Sequence, residues 1–215
     1  MKKIVIPIAM SALMFAPISQ AAGPTSQQTS CLDQSLAELA KLPLPKSQPN
    51  TVLVSERISI PAPVEEVYQY FQSFPLAKLL TETDSVAGVA YTQNLKGENY
   101  LLAGDRRSVC LTSGYGAIEE LTDNQNNRFA YTVWAYTLPD AAAIAYGEGE
   151  FLFKPQNGTT EIIWNYRFAL KPDSFPGNLM APGRWLFDLT FANSDWRTYM
   201  QQGLVNFKQG VLSEI

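Results

Sequence analysis

The sequence contains no histidine, which removes the side chain most often used as a catalytic base and as a metal ligand. Two cysteines are too few for a thiolate zinc site, and neither has a histidine to serve as its base. The glycine-rich stretch at 113–116 lacks the lysine of a phosphate-binding loop. There is no basic run, and the formal net charge is −4. We therefore expect no metal, no cofactor and no nucleic-acid partner.

The N-terminal segment has the three parts of a secretory signal peptide. Two lysines follow the first methionine, residues 4–18 are apolar and uncharged, and small residues then fit cleavage after Ala21 or Ala22. The apolar run is shorter than the roughly 20 residues of a comfortable membrane span, although an uncleaved anchor is the alternative. We expect residues 1–22 to be a signal peptide, and the protein to be periplasmic or secreted with no stable membrane span after cleavage.

Cys31 and Cys110 form an even pair in a chain that we expect to be exported. Oxidising compartments favour disulfides, and this one would close a loop of about 80 residues. It would tie the N-terminal segment to a central strand. The alternative is two separate buried thiols.

The rest of the chain predicts an N-terminal segment followed by one domain. In residues 23–50 we expect a short helix and then a linker broken by prolines. The domain at 51–215 opens with a strand at 52–60 and two short helices. Alternating apolar residues and turn signals then indicate strands at 86–94, 99–103, 106–113, 115–122, 128–137, 143–154 and 159–170.

The C-terminal part predicts one long helix. Residues 171–189 are rich in proline and glycine and indicate a long loop with a helical turn. We expect the helix to begin near Phe191, with Asn193 or Ser194 as its cap. A sheet with one apolar face must be covered, and only this helix is long enough. The fold class is therefore α+β, with six or seven antiparallel strands against a C-terminal helix.

Aromatic and apolar residues of the last strand and the last helix are the first candidate site residues. Two glycines, Gly147 and Gly149, would leave space in front of the sheet. The candidates that would enclose this space are Trp164, Tyr166, Trp196, Met200, Leu204 and Phe207. The alternative is a solid core in which the helix packs directly on the sheet.

Three polar candidates belong to the middle strands. Arg107 alternates with apolar residues that are expected to face inward, and Glu119 does so on the next strand. A buried charge needs a partner, so the two could pair with each other or with the polar end of a ligand. Tyr131 could place a phenol in the same space. Alternatively, the charged residues face solvent, because Arg106 and Glu120 have the opposite parity.

Several segments resemble the superfamily of START proteins, birch-pollen allergens and polyketide cyclases. Strand, Ala-Pro turn and helix at 58–67 resemble its opening. Residues 104–109, 119–123, 129–133 and 158–164 are similar to its later strands, so the resemblance covers 53–213. It implies a helix-grip fold, in which a curved antiparallel sheet wraps around the long C-terminal helix. It also implies a site for lipids, sterols, hormones or polyketides between the two.

Three functions are compatible with these features. The first is a periplasmic binding or carrier protein for a lipid, isoprenoid or aromatic metabolite, with Arg107 or Glu119 orienting the ligand. The second is a cyclase or dehydratase acting on a hydrophobic substrate; we favour binding over catalysis because no catalytic constellation stands out. The third is a cell-envelope interaction module that docks through Trp185 and Phe187, unless residues 171–189 form a lid over the cavity.

Overall fold

The computed structural model describes residues 31–32 and 34–214, which contain a curved seven-stranded antiparallel sheet. Its order is β1-β7-β6-β5-β4-β3-β2. The strands are β1 (Thr51–Ile60), β2 (Val89–Lys96), β3 (Arg106–Leu111), β4 (Gly116–Gln125), β5 (Arg128–Trp134), β6 (Ile144–Gln156) and β7 (Thr159–Leu170). The predicted α+β helix-grip fold is confirmed, because a long C-terminal helical run crosses the concave face.

The helices lie at the start, after β1, and at the end of the described chain. They are α1 (Leu36–Leu39), α2 (Val64–Ser73), α3 (Leu76–Leu79), α4 (Ala181–Phe187) and α5 (Arg197–Glu214). Residues Asp188–Trp196 join α4 to α5 in π-helical conformation. Short 3₁₀ turns lie at Pro139–Ala141 and Gly177–Leu179.

Strand β7 shows how the residue pattern produces the concave core. Its even-numbered residues from 160 to 170 are all buried, whereas most odd-numbered residues are only partly buried. The period of two therefore directs one face toward the helices. The buried cluster on this face includes Trp164 and Phe168 of β7, Phe71 of α2 and Phe207 of α5.

Two predicted elements were wrong. Residues 99–103 form a turn instead of a strand, because Tyr100 has a positive φ. The Asp105 carboxylate stabilises this turn by accepting hydrogen bonds from the N–H groups of Leu101 and Leu102, at 3.0 and 2.9 Å. Helical backbone begins at Ala181 instead of near Phe191. The predicted caps therefore lie inside a continuous helical run.

The N-terminal segment crosses the convex face of the sheet and encloses a second core. Cys31 and Cys110 form the predicted disulfide, with 5.8 Å between their Cα atoms. The members of this core from the segment and the sheet are Leu32, Leu39, Ile118, Trp134, Tyr146 and Ala169. Arg106 pairs with Glu120 and also donates to main-chain carbonyls of the segment. Part of the convex face is thus covered as well.

The predicted signal peptide at 1–22 lies outside the described residues. From Cys31 to Glu214, Asp33 apart, no helix is both long and apolar enough to cross a membrane.

Candidate functional site

A cavity of about 810 Å³ separates the concave face of the sheet from the helical run above it. Its floor comes from β3, β4, β5 and β7, and α3 closes one side. The opposite wall comes from α4, the π-helical residues and the first turn of α5. Aromatic and aliphatic side chains dominate the lining, including Val133, Phe168, Leu186, Phe187, Phe191 and Tyr199. The centre of the molecule is therefore hollow and largely apolar.

Five of the predicted site residues line this cavity: Glu119, Tyr131, Trp164, Tyr166 and Trp196. Arg107 does not line it, although it contacts Glu119 from a neighbouring pocket.

The other three predicted residues lie elsewhere. Met200, Leu204 and Phe207 are buried in the core where α5 packs against β1, α2 and α3, and they do not line the cavity. The reason is that the helical run starts ten residues earlier than predicted. The helical residues that line the cavity therefore precede Met200 in the chain, and Phe187 and Phe191 are among them.

Arg107 and Glu119 form an ion pair on the concave face, because β3 and β4 place them opposite each other. The Arg107 Nε donates to the Glu119 carboxylate at 2.8 Å, and a second guanidinium nitrogen donates to the same oxygen. The guanidinium carbon of Arg107 lies 3.9 Å from the centre of the Tyr100 ring. Burial lowers the pKa of Arg107, but Glu119, together with Tyr100 and Tyr131, raises it, and the net pKa is raised. The two side chains therefore satisfy each other through these hydrogen bonds.

The pair borders a second, smaller pocket of about 60 Å³. This pocket lies between α2, α3 and the turn that contains Tyr100, and Arg107 is part of its lining. Glu119 and Tyr131 line both spaces. They therefore mark the boundary between the two.

The two glycines of β6 make room for aromatic rings instead of leaving empty space. A Cβ on Gly149 would lie 2.0 Å from Cζ of Tyr131, and a Cβ on Gly147 would lie 2.1 Å from the hydroxyl oxygen of Tyr166. The phenols thus lie directly over the β6 backbone. The space expected in front of these glycines is real, but two tyrosines of the protein occupy it.

The phenols of the cavity form a neutral polar group within an apolar wall. The hydroxyls of Tyr136 and Tyr166 lie 3.4 Å apart. Burial raises the pKa of Tyr131, Tyr136 and Tyr166, and the Glu119 carboxylate raises each of them further. All three therefore stay protonated at neutral pH and can donate hydrogen bonds without carrying charge.

Two buried indole N–H groups have no hydrogen-bond partner in the described part of the chain, those of Trp164 and Trp196. Trp164 is close enough to the Tyr131 hydroxyl to offset part of the rise in the Tyr131 pKa. Its N–H nevertheless makes no hydrogen bond of normal geometry. Burying a hydrogen-bond donor without a partner lowers the stability of the fold, so such groups are uncommon in an ordinary hydrophobic core.

The segment at 171–189 closes the cavity instead of projecting into solvent as a loop. Phe175, Pro176, Leu186 and Phe187 all line the cavity. Trp185 points the other way and is 66% exposed. The sequence suggested that Trp185 and Phe187 act together on one surface, but helical geometry places them on opposite sides of α4.

Reasoning from the sequence missed Tyr136, Phe191, Asp195 and Tyr199, which also line the cavity. Tyr136 follows the end of β5, where alternation no longer applies. The other three follow Phe187 at steps of four residues, a helical period that would have indicated them had the segment been read as a helix. Among residues 31–32 and 34–214 no group of three acidic, cysteine or histidine side chains is placed to hold a metal ion.

Comparisons with solved structures identify the same architecture in distant proteins. Ara h 8.0201 superposes with a TM-score of 0.55 at 14% identity, covering 76% of this chain and 99% of that one. Norcoclaurine synthase of Thalictrum flavum, solved as a point mutant with a transition-state analogue, gives 0.53 at 14% identity, covering 76% and 95%. The protein TTHA0849 of Thermus thermophilus gives 0.51 at 20% identity, covering 75% and 98%. At these identities the likeness shows the fold alone.

Sequence comparison reaches the family. A search of curated proteins found no match. The family model described as polyketide cyclase / dehydrase and lipid transport matches residues 51–211, which run from the first residue of β1 almost to the end of α5. That span contains every strand of the sheet and every residue that lines the cavity. The chain therefore belongs to the polyketide cyclase / dehydrase and lipid transport family.

Proposed function

We propose that the protein binds a small hydrophobic molecule in the large cavity and acts as its carrier or binding protein. The observation that carries this proposal is the volume of about 810 Å³, bounded mainly by aromatic and aliphatic side chains. Such a volume lies in the upper part of the range of small-molecule sites, and its apolar surface favours ligands that avoid water. The helical segment above the cavity supports it further, because closure shields a bound ligand from solvent.

Native mass spectrometry of the protein purified from its own cell envelope tests the proposal directly. We expect a stoichiometric non-covalent ligand, which extraction and accurate mass would then assign to a chemical class. Lipids, isoprenoids and aromatic metabolites all fit the apolar lining. A protein that is empty and takes up no hydrophobic probe would contradict the proposal.

A matched pair of variants assigns the binding to this cavity. Val133→Trp fills the cavity from its floor, and Val205→Trp makes the same change on an exposed position of α5. We expect Val133→Trp to weaken binding of a neutral fluorescent probe by at least about tenfold, because the indole occupies ligand volume. Val205→Trp should bind as the unaltered protein does. Equal binding by a folded Val133→Trp variant would place the site elsewhere.

A second candidate is catalysis on the same ligand, by a cyclase- or dehydratase-type reaction. It is favoured by one observation, the buried Glu119 carboxylate beside the protonated phenol of Tyr131 in a closed apolar space. A carboxylate and a phenol can act as base and acid if a ligand reaches both. Glu119→Gln and Tyr131→Phe would abolish conversion of the extracted ligand if the protein is an enzyme. If both variants convert it normally, these two roles are wrong.

We also propose that the protein is exported. The disulfide supports this, since such bonds persist in oxidising compartments. Fractionation followed by intact-mass measurement should find the protein in the periplasm or medium, beginning after Ala21 or Ala22. An uncleaved chain in the cytoplasm would contradict export.

A further inference from the structure

We propose that the cavity excludes anionic ligands and takes apolar molecules that are neutral or positively charged. This inference rests on the proposed binding function and narrows its ligand class. It removes fatty acids and other carboxylate, sulfonate or phosphate amphiphiles from the candidates. It is argued from the charged groups that face the cavity.

The charged side chains of the lining are all acidic. Glu119 lies in the floor, and Asp140 and Asp195 lie near the rim, one in the β5–β6 connection and the other in the π-helical segment. Within the described chain no lysine or arginine belongs to the lining, and the sequence has no histidine. The side chains of Asp140 and Asp195 make no ion pair or hydrogen bond with the described residues. Their charges are therefore uncompensated by these residues.

The arginine beside the cavity already has a carboxylate partner and lies outside the lining. Arg107 gives two N–H groups to Glu119, stacks on Tyr100 and lies in the smaller pocket, with 15% of its side chain exposed. Displacing Glu119 from it would leave one carboxylate buried without a partner, which costs several kcal/mol. The sequence-based expectation that Arg107 orients a ligand therefore does not fit this geometry.

Basic side chains near the rim are also engaged elsewhere. The Lys171 ammonium donates to the Ala142 carbonyl at 2.8 Å, and the Arg184 guanidinium donates to the Asn50 side chain at 2.9 Å. Neither residue lines the cavity. The remaining polar side-chain groups of the lining are phenols, hydroxyls and indole N–H groups, which donate hydrogen bonds but carry no positive charge. An anion entering this space would lose its hydration and gain no counter-charge.

The contacts that the cavity does offer suit ligands without negative charge. Neutral phenols can donate to a carbonyl or hydroxyl oxygen of the ligand. The faces of Trp164, Trp196 and Tyr166 offer stacking to aromatic rings, and aromatic faces attract cations. Asp195 and Trp196 both line the cavity, so a positive group at the rim can approach a carboxylate and an indole. We therefore expect the cavity to bind neutral aromatic molecules and apolar amines.

Two fluorescent probes that differ by one sulfonate group test the inference. N-phenyl-1-naphthylamine is neutral, and 8-anilinonaphthalene-1-sulfonate is the same scaffold with one sulfonate. We expect the neutral probe to bind the full mature protein at least about tenfold more tightly at low ionic strength, where charge effects are least screened. Equal affinity, or tighter binding of the sulfonate, would overturn the charge inference and leave the proposed binding function standing. If neither probe binds, the proposed function fails and this inference fails with it.

Charge-removing variants test whether the rim acids cause the discrimination. Asp140→Asn combined with Asp195→Asn should reduce the ratio of the two affinities several-fold, mainly by improving binding of the sulfonate. Asp173→Asn, an exposed position outside the lining, is the control and should leave the ratio unchanged. A ratio that is the same in all three proteins would show that these carboxylates do not select the ligand.

Discussion

At the scale of single residues, glycines opposite tyrosines determine the shape of the cavity floor. Gly147 and Gly149 face the rings of Tyr166 and Tyr131 at distances where no side-chain carbon fits. The tyrosines can therefore lie against the sheet, and the volume above them stays open. Any side chain on β6 at these positions would push a phenol toward the helices.

Replacement of Gly149 by alanine tests this arrangement. The new methyl group would meet the Tyr131 ring, so we expect Gly149→Ala to lower the free energy of unfolding by about 1–3 kcal/mol, measured by urea denaturation. With Tyr131→Ala already present the ring is gone, and the same change should cost under about 0.5 kcal/mol. Equal costs in both backgrounds would mean that the ring is not the obstacle.

The Arg107–Glu119 pair gives a second prediction at this scale. Arg107→Met leaves Glu119 buried and unpaired, and we expect a loss of about 3–5 kcal/mol in unfolding free energy. Adding Glu119→Leu should recover most of that loss, because no charge then stays in the wall. Arg57→Met is the control: its partner Glu161 lies 3.7 Å away and the arginine is 70% exposed, so the loss should stay under about 1 kcal/mol. Similar losses in the two arginine variants would argue against a buried pair.

At the scale of elements, the N-terminal segment acts as a third layer on the convex face of the sheet. The disulfide fixes it to β3, Arg106 holds its main chain, and the Gln48 N–H donates to the Tyr146 hydroxyl at 3.1 Å. These contacts bury Ile118 and Trp134, which would otherwise be exposed. The segment therefore contributes to stability even though the family match begins after it.

Removal of the disulfide tests that contribution. Cys31→Ser combined with Cys110→Ser frees a loop with a sequence separation of 79, and the chain-entropy model gives a loss of about 4 kcal/mol. Urea denaturation should show a lower midpoint, and limited proteolysis should cut residues 31–48 before the sheet. Reduction of the unaltered protein should reproduce both effects. An unchanged midpoint and unchanged cleavage would mean that packing alone holds the segment.

The sequence predicted elements well where a period was unbroken and poorly where packing overrode local signals. Alternation in β7 identified its buried face, and parity on β3 and β4 made Arg107 and Glu119 candidates for the inward face, with exposure to solvent as the alternative. The start of the C-terminal helical run was wrong because Pro182 and Gly183 look like breakers. Pro182 occupies the first turn of α4, where proline is tolerated, and a Cβ on Gly183 would lie 1.8 Å from the Pro176 carbonyl oxygen. Such a close approach depends on the folded chain and leaves no local signal.

At the scale of the whole molecule, buried phenols link stability to alkaline pH. Burial raises the pKa of Tyr100, Tyr131, Tyr136, Tyr166 and Tyr199 in the folded protein. In the unfolded chain these phenols lose protons near pH 10. The folded protein thus holds more protons than the unfolded chain above that pH, and stability must fall as pH rises further.

We predict that the contribution of these phenols to the free energy of unfolding is constant below about pH 9. Above pH 10 the free energy of unfolding should fall by about 1.4 kcal/mol per pH unit for each phenol. Urea denaturation between pH 8 and 11 measures the slope. Tyr166→Phe should reduce it by one phenol's share, whereas Tyr91→Phe, at a position 52% exposed on β2, is the control and should not. A slope that Tyr166→Phe leaves intact would show that this phenol ionises as freely in the folded state as in the unfolded one.

The N-terminal layer also determines which boundary of the cavity can adjust to its contents. β3 and β4 supply Val109, Ala117 and Glu119 to the floor, and the segment braces the same two strands from behind. The facing boundary consists of short α4 and the π-helical turns, with exposed Trp185 on its outer side. If the proposed binding function holds, we expect ligands of different length to be accommodated by displacement of that helical side, while the sheet stays fixed. We then expect selectivity for shape to come from the braced strands and tolerance of size to come from the helices.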